Sequence, residues 1–245
     1  MRIGPVEKRL RSKRDAGEKL VFLLLDPEKN ISVDSVRPVV EAGVDAIFVG
    51  GSLNIITYDM DKYIVSLKER YDVPVVIFPG GLNTLSRYAD AILFMSLLNS
   101  LDPYWIIGAQ VAAAPLIKRL GLEAIPSAYI IYGHGGAAGH IGRALPIPYE
   151  QPYITAAYAL AAEMLGMRLI YLEAGSGSPS PVPPEAVKIV SNTITDSLLV
   201  VGGGIREPDI ARQFVDAGAD AIVIGTIAER DPEKATKIVS AVKHR

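Results

Sequence analysis

Eight short apolar runs recur along this chain of 245 residues, and they constrain its fold more than any other feature of the sequence. Each run is rich in Val, Ile, Leu and Phe and precedes a segment with helical periodicity. The runs lie at 21–25, 46–49, 73–78, 91–95, 123–131, 169–172, 198–201 and 221–224. Because they are apolar at both odd and even positions, they are typical of strands covered on both faces, as in a parallel sheet.

The length of the chain favours a closed barrel over an open sheet. With eight strands, each strand and its following helix have the usual length of a β/α unit, so we expect a single (β/α)8 barrel of the TIM type over residues 1–245. A repeated phrase, EAGVDAIFVGGS at 41–52 and DAGADAIVIGT at 216–226, supports equivalent units. Only 83–87 is available for a third helix, so that helix is predicted to be stunted or missing. A helical extension is expected before the first strand.

The composition excludes several classes of function. With 27 Asp+Glu against 25 Lys+Arg, the net charge of −2 creates no large field for nucleic acid. The absence of cysteine excludes disulfides, thiolate metal sites and cysteine nucleophiles. The uncharged run at 103–117 is too short to span a bilayer, and no secretory signal pattern follows the basic N-terminal residues. We therefore expect a cytoplasmic protein without a transmembrane segment.

Glycine-rich segments follow the last three strands. They are YLEAGSG at 171–177, GGGIR at 202–206 and Gly225 with Thr226. In β/α barrels the reactive groups lie where strands end, and the last two loops often present backbone N–H groups to a phosphate. The three segments therefore predict a monophosphate site, although glycines can also serve only tight turns. Arg206 is expected either to complement the phosphate or to cap the next helix.

A carboxylate and a hydroxyl follow the first two strands. Asp26 precedes a proline directly after the first strand, and Ser52 follows the second. Together with water and substrate phosphates they form the oxygen-only set that Mg²⁺ prefers, so both are predicted ligands of a Mg²⁺ that bridges a diphosphate. An Asp at a strand end is otherwise often a helix cap or a turn former.

Glu173 follows Tyr171 by two residues, so both side chains point to the same side of their strand, toward the barrel interior or its mouth. A carboxylate at that place would bind or deprotonate a polyol hydroxyl, and we expect Glu173, Tyr171 and Asp26 to be catalytic. The alternative is a buried glutamate that is neutralised by Arg or Lys.

The segment at 94–110 is apolar across a strand and the start of a helix, and it contains the single tryptophan, Trp105. Core packing explains such a segment, but the missing third helix beside it favours a groove for a long apolar ligand. Leu98, Tyr104 and Trp105 are the candidate lining, and one of the two rings is expected to limit the groove. Five glycines at 133–142 predict a mobile cover over the site, in which His134 and His140 lack the spacing of metal ligands.

Taken together, seven motifs resemble the geranylgeranylglyceryl phosphate synthases and their bacterial heptaprenylglyceryl phosphate synthase relatives. They are LLDPEK at 24–29, FVGGS at 48–52, IFPGG at 77–81, SLLNS at 96–100 with WIIGAQ at 105–110, YLEAGSG at 171–177, VGGGIR at 201–206 and IGT at 224–226. The resemblance implies transfer of a prenyl group from geranylgeranyl diphosphate to the 3-hydroxyl of sn-glycerol-1-phosphate, with Mg²⁺ at Asp26 and Ser52. The implied glycerol-phosphate site consists of Tyr171, Leu172, Glu173, Ala174, Gly175, Ser176, Gly177, Gly202, Gly203, Gly204, Gly225 and Thr226.

Leu24 stands where some members of that family have a lysine, which removes an expected cation near the diphosphate. Leu24 and the SLLNS motif together suggest the longer-chain group of the family, whose members are often dimers or hexamers, so we expect a homo-oligomer with transient membrane contact. Two alternatives remain. A phosphoribosyl-sugar isomerase would need an acid/base pair at opposing strand ends and leaves the apolar segment unexplained. A non-catalytic carrier of phosphate or prenyl lipid would bind without Mg²⁺ dependence.

Overall fold

Eight parallel strands close into a barrel in the computed structural model, which describes residues 2–29, 31–51 and 60–244. Each strand pairs with the next, and β8 pairs with β1. The strands are β1 Leu20–Leu25, β2 Ala46–Val49, β3 Val75–Ile77, β4 Ala91–Leu97, β5 Glu123–Ile131, β6 Leu169–Glu173, β7 Leu198–Gly202 and β8 Ala221–Ile224. Every predicted run overlaps one of these strands, so the predicted (β/α)8 barrel is confirmed.

The barrel has two apolar layers, one inside the sheet and one between the sheet and the helices. In β1, Phe22 points inward and packs on Phe48 of β2 with ring centroids 4.7 Å apart. Its neighbours Val21 and Leu23 point outward into the layer beneath the helices. Because alternate residues enter different apolar layers, the strands are apolar at both parities.

Helices surround the barrel, and six of them have proline in the first turn, where its missing N–H costs no hydrogen bond. They are α1 Pro5–Asp15, α2 Arg37–Glu41, α3 Met60–Arg70, α4 Ala109–Leu120, α5 Gly136–Ile141, α6 Pro152–Met164, α7 Pro184–Ser191, α8 Pro208–Asp216, α9 Thr226–Arg230 and α10 Pro232–Lys243. None of the helices in the described ranges is long and apolar enough to cross a bilayer.

The third strand is not followed by an α-helix. Between β3 and β4 the chain, which is described throughout this stretch, forms only a 3-10 turn at Leu82–Thr84. The predicted loss of the third helix is therefore confirmed. The outward-facing Ile92 and Phe94 of β4 line a cavity at that place instead of packing beneath a helix.

The N-terminal extension is the helix α1, which closes the end of the barrel opposite the strand exits. Val6 and Leu10 pack with the residues of the barrel interior. The carboxylate of Glu123 at the start of β5 caps α1, since it accepts the N–H groups of Val6 and Glu7 at 2.8 Å each. With this end filled by α1, the opposite mouth is where the cavity opens.

Candidate active site

A cavity of about 300 Å³ joins the mouth of the barrel to the gap left by the missing helix. At the mouth its lining is polar and glycine-rich: Glu173, Ser176, Gly177, Gly203, Gly204, Arg206, Gly225 and Thr226. Over the gap its lining is apolar and includes Leu85, Ile92, Phe94, Trp105, Ala113 and Ile117. The two parts are continuous, so the cavity fits a ligand with an anionic head and a long apolar tail.

The three glycine-rich strand exits meet at the mouth. Gly177, Gly203 and Gly204 have φ values of 74°, 82° and 74°, in the left-handed region that glycine adopts without strain. The hydroxyls of Ser176 and Thr226 lie 3.0 Å apart and join the β6 and β8 exits. Backbone turned in this way presents N–H groups toward one concave side, which is the geometry of an anion site.

These glycines also allow a close approach between neighbouring strands. A Cβ at Gly202 would lie 2.0 Å from the hydroxyl oxygen of Tyr171, and one at Gly203 would lie 2.3 Å from Oε1 of Glu173. The exit of β7 therefore rests directly on the two inward side chains of β6. Tight turns alone do not explain the glycines, because any larger residue would collide with Tyr171 or Glu173.

Glu173 is buried at the centre of the mouth with 6% of its surface exposed. Its Oε1 accepts the N–H of Gly175 at 2.5 Å, and the hydroxyls of Tyr129 and Tyr171 also hydrogen-bond to the carboxyl group. Within the described part of the chain no Lys or Arg pairs with it. The structure therefore does not show the alternative of a glutamate neutralised by a basic residue.

Burial raises the pKa of the Glu173 carboxyl, and the hydrogen bonds from Gly175, Tyr171 and Tyr129 offset only part of that rise. Burial, followed by the negative charge of Glu173, holds the pKa of Tyr129 and of Tyr171 well above the usual tyrosine range. Both tyrosines therefore keep their protons and donate them in hydrogen bonds to the carboxylate. A carboxylate with a raised pKa is suited to accept a proton from a bound hydroxyl.

Asp26 lies at the edge of the cavity, directly after β1. Its half-buried carboxylate accepts the N–H of Glu28 at 3.1 Å. The carboxylate also lies beside Gly51, a cavity-lining residue, where an added Cβ would be 2.7 Å from Oδ1 of Asp26. Burial raises the pKa of Asp26 more than the Glu28 N–H and the Lys29 charge lower it. The predicted partner Ser52 lies outside the described residues. Among the residues that are described, no three His, Asp or Glu side chains form a metal-binding group.

Arg206 connects two strand exits at the mouth, while its expected role at a phosphate or a helix cap stays a prediction. Its guanidinium donates to the carbonyl oxygens of Gly177 and Ser178 at 2.9 and 2.8 Å. It therefore fastens the β6 exit loop to the β7 exit, while its side chain also lines the cavity.

Seven of the predicted site residues that the structure describes do not line the cavity: Asp26, Leu98, Tyr104, Leu172, Ala174, Gly175 and Gly202. Leu172 and Ala174 are fully buried in the layer between barrel and helices, because residues that alternate with Tyr171 and Glu173 face the opposite side of the strand. Their side chains therefore cannot contact a substrate at the mouth. Leu98 also packs against that outer layer, and Tyr104 is 43% exposed. The assignment of these residues to the substrate site stays a prediction.

Trp105 is the one residue of the predicted groove trio that lines the cavity. It lies in a short π-helix, Tyr104–Gly108, that precedes α4. The hydroxyl of Ser96 donates to the carbonyl of Ile106 at 2.6 Å, and Gln110 donates to the carbonyls of Met95 and Trp105. These side chains satisfy backbone groups at the π-turn and so fix the position of the indole.

The glycine-rich loop after β5 contains α5 and forms a wall of the cavity through Ala138 and Ile141. Its end is tied to the β4 exit, because the hydroxyl of Ser100 donates to the carbonyl of Gly142 at 2.6 Å. The loop also rests on the β6 exit, where a Cβ at Gly175 would lie 2.5 Å from the nitrogen of Gly136. The loop thus couples the apolar and polar parts of the cavity, and its mobility remains a prediction.

Two aromatic residues of the site were not among the predicted ones. Tyr129 of β5 pairs in register with Tyr171 of β6, and their rings lie 5.2 Å apart. Phe78 packs edge-on against both rings at 5.7 Å. The alternation of residues within its run indicated an inward side chain for Tyr129. Its position along the barrel axis relative to Glu173 depends on the register between strands, which the sequence does not specify.

A family model agrees with this architecture: the PcrB family matches residues 14–243. The chain belongs to the PcrB family. The resemblance predicted from the seven motifs is therefore confirmed. Among its relatives, the geranylgeranylglyceryl phosphate synthase of Hyperthermus butylicus is 63% identical over 97% of this chain and 99% of that protein. The synthase of Sulfolobus acidocaldarius is 48% identical over 98% of this chain and 95% of that protein.

Solved structures of geranylgeranylglyceryl phosphate synthases share the whole fold. The (S)-3-O-geranylgeranylglyceryl phosphate synthase of Thermoplasma acidophilum, in complex with its substrate sn-glycerol-1-phosphate, superposes with a TM-score of 0.92 at 40% identity and covers 100% of both chains. The thiamine phosphate pyrophosphorylase of Pyrococcus furiosus reaches a TM-score of 0.58 at 20% identity over 92% of this chain and 94% of that one, which indicates the barrel fold alone.

Proposed function

We propose that this PcrB-family protein transfers the geranylgeranyl group of geranylgeranyl diphosphate to the 3-hydroxyl of sn-glycerol-1-phosphate and releases diphosphate. The observation that carries the proposal is the continuity of a glycine-lined anion site with an apolar arm in one cavity. The names of the relatives and the acceptor bound in the Thermoplasma acidophilum structure support it.

The acceptor phosphate would bind at the three glycine-rich exits, where Ser176 and Thr226 supply hydroxyls and Gly203 and Gly204 supply backbone N–H groups. This places the glycerol moiety beside Glu173. In the reaction, the allylic C1–O bond to diphosphate breaks and a C1–O bond to the 3-oxygen of glycerol forms. The proton of that hydroxyl passes to the Glu173 carboxylate, which Tyr129 and Tyr171 hold by hydrogen bonds.

The residues near the β1 exit fit a magnesium ion. Asp26 offers one half-buried carboxylate at the cavity edge, and Mg²⁺ characteristically takes one or two carboxylates and completes its shell with water and substrate phosphates. Asp26 and Ser52 would hold the ion, which would offset negative charge on the leaving diphosphate. This assignment, like the ion itself, is a proposal.

The prenyl chain would lie in the apolar arm over the missing helix. Ile92, Phe94 and Ile117 would provide its wall, and Trp105, which also lines this arm, would limit its length. Burial of the chain there would also keep water from the allylic carbon, so that the glycerol hydroxyl is the available nucleophile.

We also propose that the protein forms homo-oligomers, either dimers or hexamers. Apolar side chains are exposed on the π-turn and α4, with Ile107 at 57% and Val111 at 65%, and on α6, with Tyr153 at 74% and Met164 at 78%. Exposed apolar groups of this kind mark contact surfaces. Light scattering across a concentration series tests the proposal, because a mass near 26.3 kDa at every concentration would exclude an oligomer. Cytoplasmic location and transient membrane contact stay predictions.

The activity is tested by incubating the protein with labelled sn-glycerol-1-phosphate and C15, C20 or C35 diphosphates, with Mg²⁺ or with EDTA, and extracting the product. We expect an ether product that depends on Mg²⁺ and is most abundant with C20. The Glu173→Gln variant and sn-glycerol-3-phosphate are the controls. A maximum with C35 would correct the donor. Binding of both substrates without product would instead favour the carrier function, and no binding of the prenyl donor would favour the isomerase.

A further inference from the structure

Three charged side chains line the described part of the cavity: Glu173, Arg206 and Arg230. Glu173 is held by tyrosine hydroxyls, and Arg206 donates to two carbonyl oxygens of the β6 exit loop. Arg230, the last residue of α9, makes no hydrogen bond or ion pair with any described residue. It is therefore a cation whose bonding capacity is available to a ligand in this cavity.

The short helix α9 bridges the two ends of the mouth. At its start, the hydroxyl of Thr226 lies 3.0 Å from that of Ser176, within the proposed phosphate site. At its end, Glu229 pairs with Lys29 at 2.7 Å, and Lys29 follows Asp26 by three residues. Since a helix rises about 1.5 Å per residue, the end of α9 lies about 6 Å beyond Thr226 along the helix axis. Arg230 is thus placed toward the β1 exit, and it shares a helix face with Thr226.

The β1 exit needs positive charge besides the proposed Mg²⁺ if it receives a diphosphate. Asp26 is itself negative when ionised, so the charge of one Mg²⁺ is already partly offset before the diphosphate binds. Lys29 is already paired with Glu229, whose side chain is only 8% exposed. Arg230 therefore supplies positive charge at this side of the cavity, and no carboxylate of the described chain pairs with it.

We propose that Arg230 binds the diphosphate group of the prenyl donor. This inference rests on the proposed function. The planar guanidinium donates to phosphate oxygens in pairs, which fixes the orientation of the diphosphate as well as its charge. As the allylic C1–O bond breaks, its electron pair passes to the diphosphate oxygen, and Arg230 stabilises the negative charge that grows there. The acceptor phosphate binds separately, at the Thr226 end of α9.

The test compares Arg230→Ala and Arg230→Lys with a matched control, Arg212→Ala. Arg212 is exposed on α8 and, among the described residues, pairs with Asp209 alone, so its loss changes the net charge equally without touching the cavity. Calorimetry measures the Kd of inorganic diphosphate with Mg²⁺ and with EDTA, and the Kd of sn-glycerol-1-phosphate. Steady-state kinetics measure kcat and the KM of the donor.

We expect Arg230→Ala to weaken diphosphate binding and to raise the donor KM by about tenfold or more, because a charge-assisted hydrogen bond is lost. The Lys variant should recover part of this loss, and Arg212→Ala should match the wild type. The Kd of sn-glycerol-1-phosphate should stay within about twofold in all variants. Equal diphosphate affinity in Arg230→Ala and Arg212→Ala would overturn the assignment, as would a loss confined to sn-glycerol-1-phosphate. If the wild type makes no ether product, the proposed function fails, and the diphosphate Kd still decides whether Arg230 binds this anion.

Discussion

The contact between Gly203 and Glu173 makes a quantitative prediction for the Gly203→Ala variant. Gly203 has a φ of 82°, and its added Cβ would lie 2.3 Å from Oε1 of Glu173 and 2.8 Å from the backbone nitrogen of Gly175. Gly166 has the same φ of 82° but has no atom within 4 Å of its added Cβ. The two alanine variants therefore share the backbone strain and differ in the collision.

The shared strain of a non-glycine residue at positive φ costs about 1–2 kcal/mol. The gain from a less flexible unfolded chain, about 0.4–1 kcal/mol, also applies to both variants and cancels in their difference. Crowding in a tightly packed place costs about a further 1–3 kcal/mol, and a backbone atom beside the new methyl prevents cheap relief. Gly203→Ala should thus lose about 1–3 kcal/mol more free energy of unfolding than Gly166→Ala.

Urea unfolding of both variants measures this difference, provided that the free energy of unfolding falls with urea concentration at the same slope in both. Because the new methyl displaces the Glu173 carboxylate and the β6 exit, Gly203→Ala should also weaken sn-glycerol-1-phosphate binding by about tenfold or more, whereas Gly166→Ala should not. Equal stability losses in the two variants, together with an unchanged Kd for Gly203→Ala, would refute the close approach on which the site geometry depends.

Four further variants test other parts of the structure. Asp26→Ala should abolish turnover but change the Kd of sn-glycerol-1-phosphate by less than about twofold; surviving Mg²⁺-dependent activity would contradict the metal assignment. Tyr129→Phe removes a hydrogen bond that lowers the pKa of Glu173, so the acidic limb of kcat/KM should move to higher pH, and an unmoved limb would exclude this coupling. Arg206→Ala should raise the KM of sn-glycerol-1-phosphate more than it lowers kcat, because it releases the β6 exit loop; a purely kcat effect would argue for a direct catalytic role. Glu7→Gln should destabilise the protein by about 3–5 kcal/mol, since Glu7 is fully buried between Arg11 and Arg168, with no change in substrate KM. Burial raises the pKa of Glu7, but hydrogen bonds from Arg168 and Arg11 lower it overall. The ionised Glu7 therefore stabilises the folded protein fully above the ordinary carboxyl pKa, and this stabilisation is lost as the pH falls through the lowered pKa. The variant should lack this acid dependence in urea titrations.

The fold could be predicted because its signals are local. A strand buried on both faces needs apolar residues at both parities, and too few residues lie between β3 and β4 for a full helix. The same alternation sends the side chains of Leu172 and Ala174 to the opposite side of β6 from the side chain of Tyr171, although all three residues belong to the YLEAGSG motif.

The contacts that decide the chemistry depend on longer-range geometry. Tyr129 reaches Glu173 because β5 and β6 pair in one particular register, and Arg206 reaches Ser178 because of the path of a loop. The short π-helix at Tyr104–Gly108 also depends on such geometry, because its extra residue changes which side chain of a helical segment faces inward. A regular helix over 103–120 does not distinguish Trp105 from Tyr104, but the structure places only Trp105 against the cavity.

The missing helix explains how one barrel can accommodate both an anion and an apolar chain. In a complete barrel the outward residues of β4 would pack beneath the third helix, and the strand ends alone would form the site. Here Ile92 and Phe94 line the cavity beside Trp105, and α5 connects this apolar surface to the exit of β6. A ligand whose tail covers that surface replaces the contacts that the helix would have made, so its apolar tail contributes affinity through the same burial that stabilises the core. The polar mouth then needs to orient only the reacting ends of the two substrates, and we propose that Glu173 and its two tyrosines perform this task.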